Sequence, residues 1–231
     1  MPAKRRQKTS LRGEIRLQQI FLKGVNMKIL VSPSVLNADF GKLAEECVSL
    51  EKSGADWIHC DVMDGEFVPN LSFGLPVVEA IDKAVTIPLD VHLMIRHPLR
   101  YVSRFAAVGA DWITFHLECD DDVASTCRAI KDCGCKVGIS LKPATDVEQL
   151  LPYSSLFDMI LIMSVEPGFG GQKFIANSTE KIAKARRLYP DKLIQVDGGI
   201  NAENAQTVVN SGADVLVVGS ALLHCADRKA W

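Results

Sequence analysis

From Met27 onward, eight short β-branched or apolar runs recur at intervals of about 27 residues, and stretches of helical periodicity separate them. The runs are KILVS (28–32), WIHCDV (57–62), PLDVHLM (88–94), WITFH (112–116), KVGISL (136–141), DMILIM (158–163), KLIQVD (192–197) and DVLVV (214–218). Strands alternating with helices build a parallel sheet, and one βα unit per interval predicts an α/β protein, a single (β/α)8 TIM barrel over 27–231. A doubly wound open sheet is the second choice, disfavoured because no G-x-G-x-x-G follows the first run. A partial repeat supports the count: Gly-Ala-Asp followed by two large apolar residues occurs at 54–58, 109–113 and 212–216. Each Gly is placed to end a helix in the left-handed conformation, and each Asp to open the turn into the next strand.

A chain of 231 residues with 48% hydrophobic content can bury one sizeable core. No apolar run approaches the roughly 20 residues needed to span a bilayer, and no secretory signal pattern opens the chain, so a cytoplasmic protein without membrane partners is expected. Seven cysteines, an odd number lying mostly inside periodic segments, suit reduced thiols, and Cys133-Gly134-Cys135 is too little for a zinc site. The formal charge of -2 conceals an asymmetry. Residues 1–26 hold seven Lys or Arg against Glu14 alone, which leaves 19 basic and 27 acidic residues in the remainder. Such an acidic body disfavours nucleic acid as a partner. The basic extension, expected to be disordered or absent from the native chain, has three readings: a transit peptide short of serine, an appended arm, or translated leader upstream of a true start at Met27. The last is preferred, because Lys23-Gly24-Val25-Asn26 can be encoded by a ribosome-binding sequence.

Polar and glycine residues gather after the runs, at Asp64-Gly65, 168–171, Gly198-Gly199 and Gly219-Ser220. In a βα barrel the site lies on this C-terminal face. His59 and Asp61 are two apart on one strand and therefore share a face. His92 in the third run and Asp197 at the end of the seventh join them only if the barrel closes. Any one of these has an ordinary explanation, since strand-end Asp residues cap helices and a lone His is usually a core residue. Together, two imidazoles and two carboxylates suit one borderline divalent cation: Zn, Fe(II), Mn or Co. His116 is a possible further polar wall residue, and His97 before Pro98 is expected to cap the next helix. Gly168-Phe169-Gly170-Gly171, with Gly198-Gly199 and Gly219-Ser220, lets backbone N–H groups approach a phosphate. Met63, Met94 and Met163 either line the pocket or fill core gaps. If a 2-keto sugar phosphate chelates the cation, Asp61 and Asp197 would flank the carbon next to the carbonyl. One would remove a proton and the other return it to the opposite face, through a metal-stabilised enediolate.

Five stretches carry a closer likeness: Pro33-Ser34-Val35-Leu36 with Asp39-Phe40; 59–65 (HCDVMDG) with Phe67-Val68-Pro69-Asn70; 90–94 (DVHLM); 165–172 (VEPGFGGQ); and 196–200 (VDGGI). With these, residues 28–223 closely resemble the ribulose-phosphate 3-epimerase family, whose fold is a ribulose-phosphate-binding barrel. The resemblance implies interconversion of D-ribulose 5-phosphate and D-xylulose 5-phosphate at C3, in the pentose phosphate pathway or carbon fixation. It implies Asp61 as proton acceptor, Asp197 as donor, and His59, Asp61, His92 and Asp197 as metal ligands. Ser34, His92, Asp197 and the three glycine loops (Gly168, Phe169, Gly170, Gly171; Gly198, Gly199; Gly219, Ser220) would hold the substrate. A homo-oligomer, dimer or hexamer, is expected. Two departures stand out: the basic extension, and an end at Trp231 that leaves little room for a full eighth helix. A sister epimerase acting on allulose 6-phosphate would share every motif. A decarboxylase on a related barrel would be expected to carry a Lys in the third strand, where Asp90-Val91-His92 stands, and a catalytically silent phosphosugar-binding module would have no need of both acids.

Overall fold

The structure, a computed structural model, describes residues 28–230; the expectations for residues 1–26 and the start at Met27 lie outside the described residues. Eight parallel strands form one sheet: β1 (Leu30–Pro33), β2 (Ile58–Met63), β3 (Leu89–Met94), β4 (Trp112–His116), β5 (Lys136–Leu141), β6 (Met159–Met163), β7 (Leu193–Asp197) and β8 (Val215–Val218). Every apolar run overlaps one of them; six strands lie wholly inside their runs, and β1 and β2 each end one residue beyond theirs. Ladders join the strands in the order β1-β8-β7-β6-β5-β4-β3-β2. The remaining joint, β1 to β2, is a single parallel bridge between Ser34 and His59, flanked by Val35 N–H to His59 O (3.2 Å) and Asp56 N–H to Val31 O (2.9 Å). The sheet thus closes into the expected barrel.

Outside it lie α1 (Leu43–Ser53), α2 (Leu75–Ala84), α3 (Val102–Ala107), α4 (Val123–Asp132), α5 (Ser178–Leu188), α6 (Ala205–Asn210) and α7 (Ser220–Leu223). Each longer helix buries one stripe at i, i+3 or i+4 spacing, such as Cys47 and Leu50 in α1, Val78 and Ile81 in α2, and Cys127 and Ile130 in α4. Between β5 and β6 the connection is instead a 3-10 helix, Val147–Tyr153, which contains Pro152. The last helix has four residues. Among the described residues no helix is long and apolar enough to cross a membrane, and all seven cysteines are free thiols.

The barrel interior is layered by the two-residue period of its strands. Leu30, Trp57, Trp112, Met159, Leu193 and Val215 form a dry floor. Two residues further along come Ser32, His59, Thr114, Leu161 and Gln195, all fully buried. Another two bring Ser34, Asp61, Met163 and Asp197 to the mouth, with His116 fully buried at the same level. The core is therefore apolar below and polar above.

The Gly-Ala-Asp repeat has a specific structural task. Gly54, Gly109 and Gly212 all take positive φ (106°, 113° and 115°), ending helices where a side chain would be strained. Each following Asp accepts from the first amides of the preceding strand: Asp56 from Val31 N–H (3.1 Å), Asp111 from Leu89 N–H (2.9 Å), Asp214 from Ile194 N–H (2.8 Å). Asp158, outside the repeat, does the same for Val137 N–H (3.0 Å). Four carboxylates therefore stitch β2, β4, β6 and β8 to their neighbours at the bottom of the barrel.

Burial pushes Asp111 up to about 6, against the Leu89 N–H bond and with the Asp82 charge adding to it. A raised acid favours the folded state most when it is protonated. Its contribution is present at acidic pH and is lost as pH rises through about 6. Asp111→Asn keeps an acceptor for Leu89 N–H without the charge. The variant should melt about 2–4 °C higher than the parent at pH 8, with the gap narrowing at about pH 5 and closing only near about pH 3, below the ordinary carboxylate value; an equal gap at about pH 8 and about pH 3 would contradict the assignment.

Candidate active site

Asp61 Oδ1 is the centre of the mouth. It lies 3.2 Å from His59 Nε2, one layer below on the same strand, and 3.2 Å from His92 Nδ1 on the neighbouring strand, its ladder partner. Its other oxygen, Oδ2, accepts from Ser34 Oγ–H at 2.6 Å. Asp197 reaches in from β7, and one ligand atom each from His59, Asp61, His92 and Asp197 lie within 4.8 Å of one another. Strand period and barrel closure thus bring together all four side chains singled out in the sequence.

The electrostatics of this group call for compensation. Burial works against ionisation of Asp61, but the charges and hydrogen bonds of His59 and His92 outweigh it and hold the carboxyl well below the usual range. Burial, followed by the negative charge of Asp61, pushes Asp197 up to about 7. For His59 burial favours the neutral ring, yet Asp61 and Asp90 on either side raise it well above the ordinary value. Asp90 Oδ2 holds Nδ1 of the His59 ring at 2.7 Å, and the buried Nε2, although 3.2 Å from Asp61 Oδ1, makes no hydrogen bond. This buried nitrogen, with the carboxylates of Asp61 and Asp197 and a second imidazole nitrogen within 4.8 Å, fits a borderline divalent cation, which would take the place of the ring's extra proton.

A cavity of about 310 Å3 opens above this group. Ser34, Asp61, Asp197, 168–171, Gly198, Gly199, Gly219 and Ser220 line it, and so do Met63, Met94 and Met163; His59 and His92 sit behind Asp61. The three glycine loops therefore share one wall. Gly199 (φ 67°) is pressed against the chain: a Cβ there would come within 2.3 Å of Phe174 N and 2.8 Å of Gln172 O. Ser164, which the sequence did not single out, fixes this corner by donating from N–H to Asp197 O (2.7 Å) and from Oγ to Gly198 O (2.7 Å). Asn70 Nδ2 likewise donates to Gly168 O at 2.7 Å.

Three further placements depart from sequence reasoning. His97 does not cap the helix that follows it; its Nδ1 lies 3.2 Å from Asp121 Oδ1. Asp90 and Gln195, whose Nε2 donates to Asp90 Oδ2, form a buried support behind His59. His116 lies behind His92 rather than on the cavity wall, with the two Nε2 atoms 2.9 Å apart, and its Nδ1 is 3.3 Å from Glu118 Oε2. Burial pushes His116 down to about 4, while Glu118, despite its own burial, is held at about 2 by His116, Thr145 Oγ–H and Lys142 N–H. Only the spacing His116-Leu117-Glu118 hinted at this pair.

The family described as ribulose-phosphate 3 epimerase matches residues 30–223. The ribulose-phosphate 3-epimerase of Bacillus subtilis (strain 168) is 46% identical over 206 residues, covering 87% of this chain and 95% of that protein. The chloroplastic ribulose-5-phosphate-3-epimerase of Arabidopsis thaliana is 43% identical over 205 residues, covering 86% and 73%. Among solved structures, 3-hexulose-6-phosphate synthase from Salmonella typhimurium superposes with a TM-score of 0.67 at 20% identity, covering 87% of this chain and 94% of that one. At that identity the likeness concerns the barrel fold.

Proposed function

The chain belongs to the ribulose-phosphate 3-epimerase family and has that family's activity, interconversion of D-ribulose 5-phosphate and D-xylulose 5-phosphate; from this premise we propose that Asp61 and Asp197 carry the proton. The observation that supports it is the placement of these two carboxylates, from β2 and β7, on one cavity, with the imidazoles of His59 and His92 behind Asp61. Asp61, held ionised, accepts the C3 proton of ribulose 5-phosphate through Oδ2, the oxygen turned away from the imidazoles and oriented by Ser34. Asp197, on the opposite wall of the cavity and pushed upward by burial and by the charge of Asp61, donates a proton to the opposite face of the same carbon. The roles exchange in the reverse direction, and the carbon is inverted.

His59, Asp61, His92 and Asp197 would hold one divalent cation, Zn, Fe(II), Mn or Co, which when bound supplies positive charge to the substrate's carbonyl and hydroxyl oxygens. Backbone amides of 168–171, Gly198-Gly199 and Gly219-Ser220 would grip the phosphate, and the three methionines keep water from the planar carbon. The catalytic unit in this reading is the barrel of residues 27–231. A decarboxylase reading has no support at β3, where Asp90 is committed to His59 and Gln195.

Exchange of the C3 hydrogen with D2O tests the reading. Wild type loaded with a divalent cation should wash solvent deuterium into C3 of ribulose 5-phosphate, lose this with a chelator and regain it when the cation returns. A preparation that exchanges no pentulose phosphate at all would end the proposal, and a higher kcat/KM on allulose 6-phosphate would reassign the substrate.

A further inference from the structure

The hydrogen bonds behind His92 form a directed chain. Glu118 Oε1 accepts from both Lys142 N–H (2.8 Å) and Thr145 Oγ–H, which leaves Oε2 facing His116 Nδ1. A carboxylate only accepts, so it favours the proton of His116 on Nδ1. His116 Nε2 is then a lone pair aimed at His92 Nε2. The two ring centroids are 5.0 Å apart with 29° between planes, so at a 2.9 Å nitrogen separation the nitrogens point at each other rather than stacking. The lone pair takes the N–H of His92 Nε2, leaving Nδ1, the nitrogen beside Asp61, without a proton of its own. His59 is oriented differently, by a carboxylate bonded directly to its Nδ1, and presents Nε2. One imidazole is thus set by one acid at first hand, the other by an acid acting through a second imidazole.

We propose that His116 and Glu118 are positioning residues that fix the ring orientation and tautomer of His92, presenting its Nδ1 lone pair to the cation. The inference rests on the cation reading above. Neither residue lines the cavity, and both act through His92.

Glu118→Gln separates this role from holding the loop. Its carboxamide oxygen still accepts from Lys142 and Thr145, so its NH2 faces His116 Nδ1 and reverses every bond in the chain. His116 then carries its proton on Nε2, and His92 carries its own on Nδ1, directed at Asp61. The affinity for Zn2+ or Co2+, measured by competition titration, should fall about 10–100-fold. Histidine ring 15N shifts should move His116 from the Nδ1–H to the Nε2–H form, with or without the cation. His116→Gln, whose carboxamide oxygen accepts directly from His92 Nε2–H, should keep affinity within about threefold of wild type. In that background Glu118→Gln should cost nothing further. Wild-type affinity in Glu118→Gln, an unchanged His116 tautomer, or additive losses in the double variant would overturn the relay. Wild type that binds none of these cations would defeat the cation reading instead, and the tautomer measurement would still decide the relay.

Discussion

Asp197→Asn and Asp61→Asn each lower kcat by about 10²–10⁴-fold, the range a positioned acid or base contributes, but they fail in opposite ways. With Asp197 replaced, Asp61 still faces C3 of ribulose 5-phosphate, so deuterium enters that substrate without inversion. With Asp61 replaced, exchange survives for xylulose 5-phosphate, whose C3 hydrogen faces Asp197. The asparagine oxygen remains a possible ligand, and measurement at saturating Zn2+ or Co2+ separates the proton step from loss of the cation. Equal residual exchange of both epimers in both variants would mean that a single group serves both faces. The assignment draws on the contrast in the cavity, where Asp61 is held ionised between two imidazoles and Asp197 is pushed up to about 7 by burial and by Asp61.

Gly199→Ala should raise KM for the phosphosugar about 10–100-fold, the equivalent of the roughly 1–3 kcal/mol typical of overpacking. At φ 67° its Cβ would approach Phe174 N to 2.3 Å, and backbone cannot yield as a side-chain tip can. The loop after β6 must move away from the loop after β7, and the two together are the proposed phosphate wall. Gly171→Ala, equally left-handed at φ 74° but with nothing within 4 Å of the added Cβ, is the control for local strain. If both variants behave alike, the close contact at Gly199 does not set the phosphate site.

Much of this site was legible because the barrel converts sequence position into geometry so simply. His59 and Asp61, two apart, had to share a face, and each acid at a strand end had to reach the mouth once eight runs were counted. The supporting residues were not legible for a physical reason. Asp90 meets His59, and His92 meets His116, only in the stagger between adjacent strands, which closure of the whole barrel sets and no local pattern records. Gln195 is two residues before Asp197, so its face could be read but its partner Asp90, four strands away around the ladder, could not. Asp158 escaped because it follows Phe157 instead of Gly-Ala, although it makes the same stitch as the repeated aspartates. The imidazole of His97 was misread because a residue before Pro98 looks like a cap, whereas Asp121 offers it a charged partner.

The joint between β1 and β2 is the one place where the wall is a lone bridge rather than a ladder, and its two residues, Ser34 and His59, are also servants of Asp61. Proteins breathe most easily where the fewest backbone bonds must break, so the chemistry sits on the barrel's own clasp. Whatever occupies the mouth binds only the closed form and, by mass action, holds that clasp shut. The occupied enzyme should then be the sturdier one, and removal of cation and sugar should open this seam to proteases first.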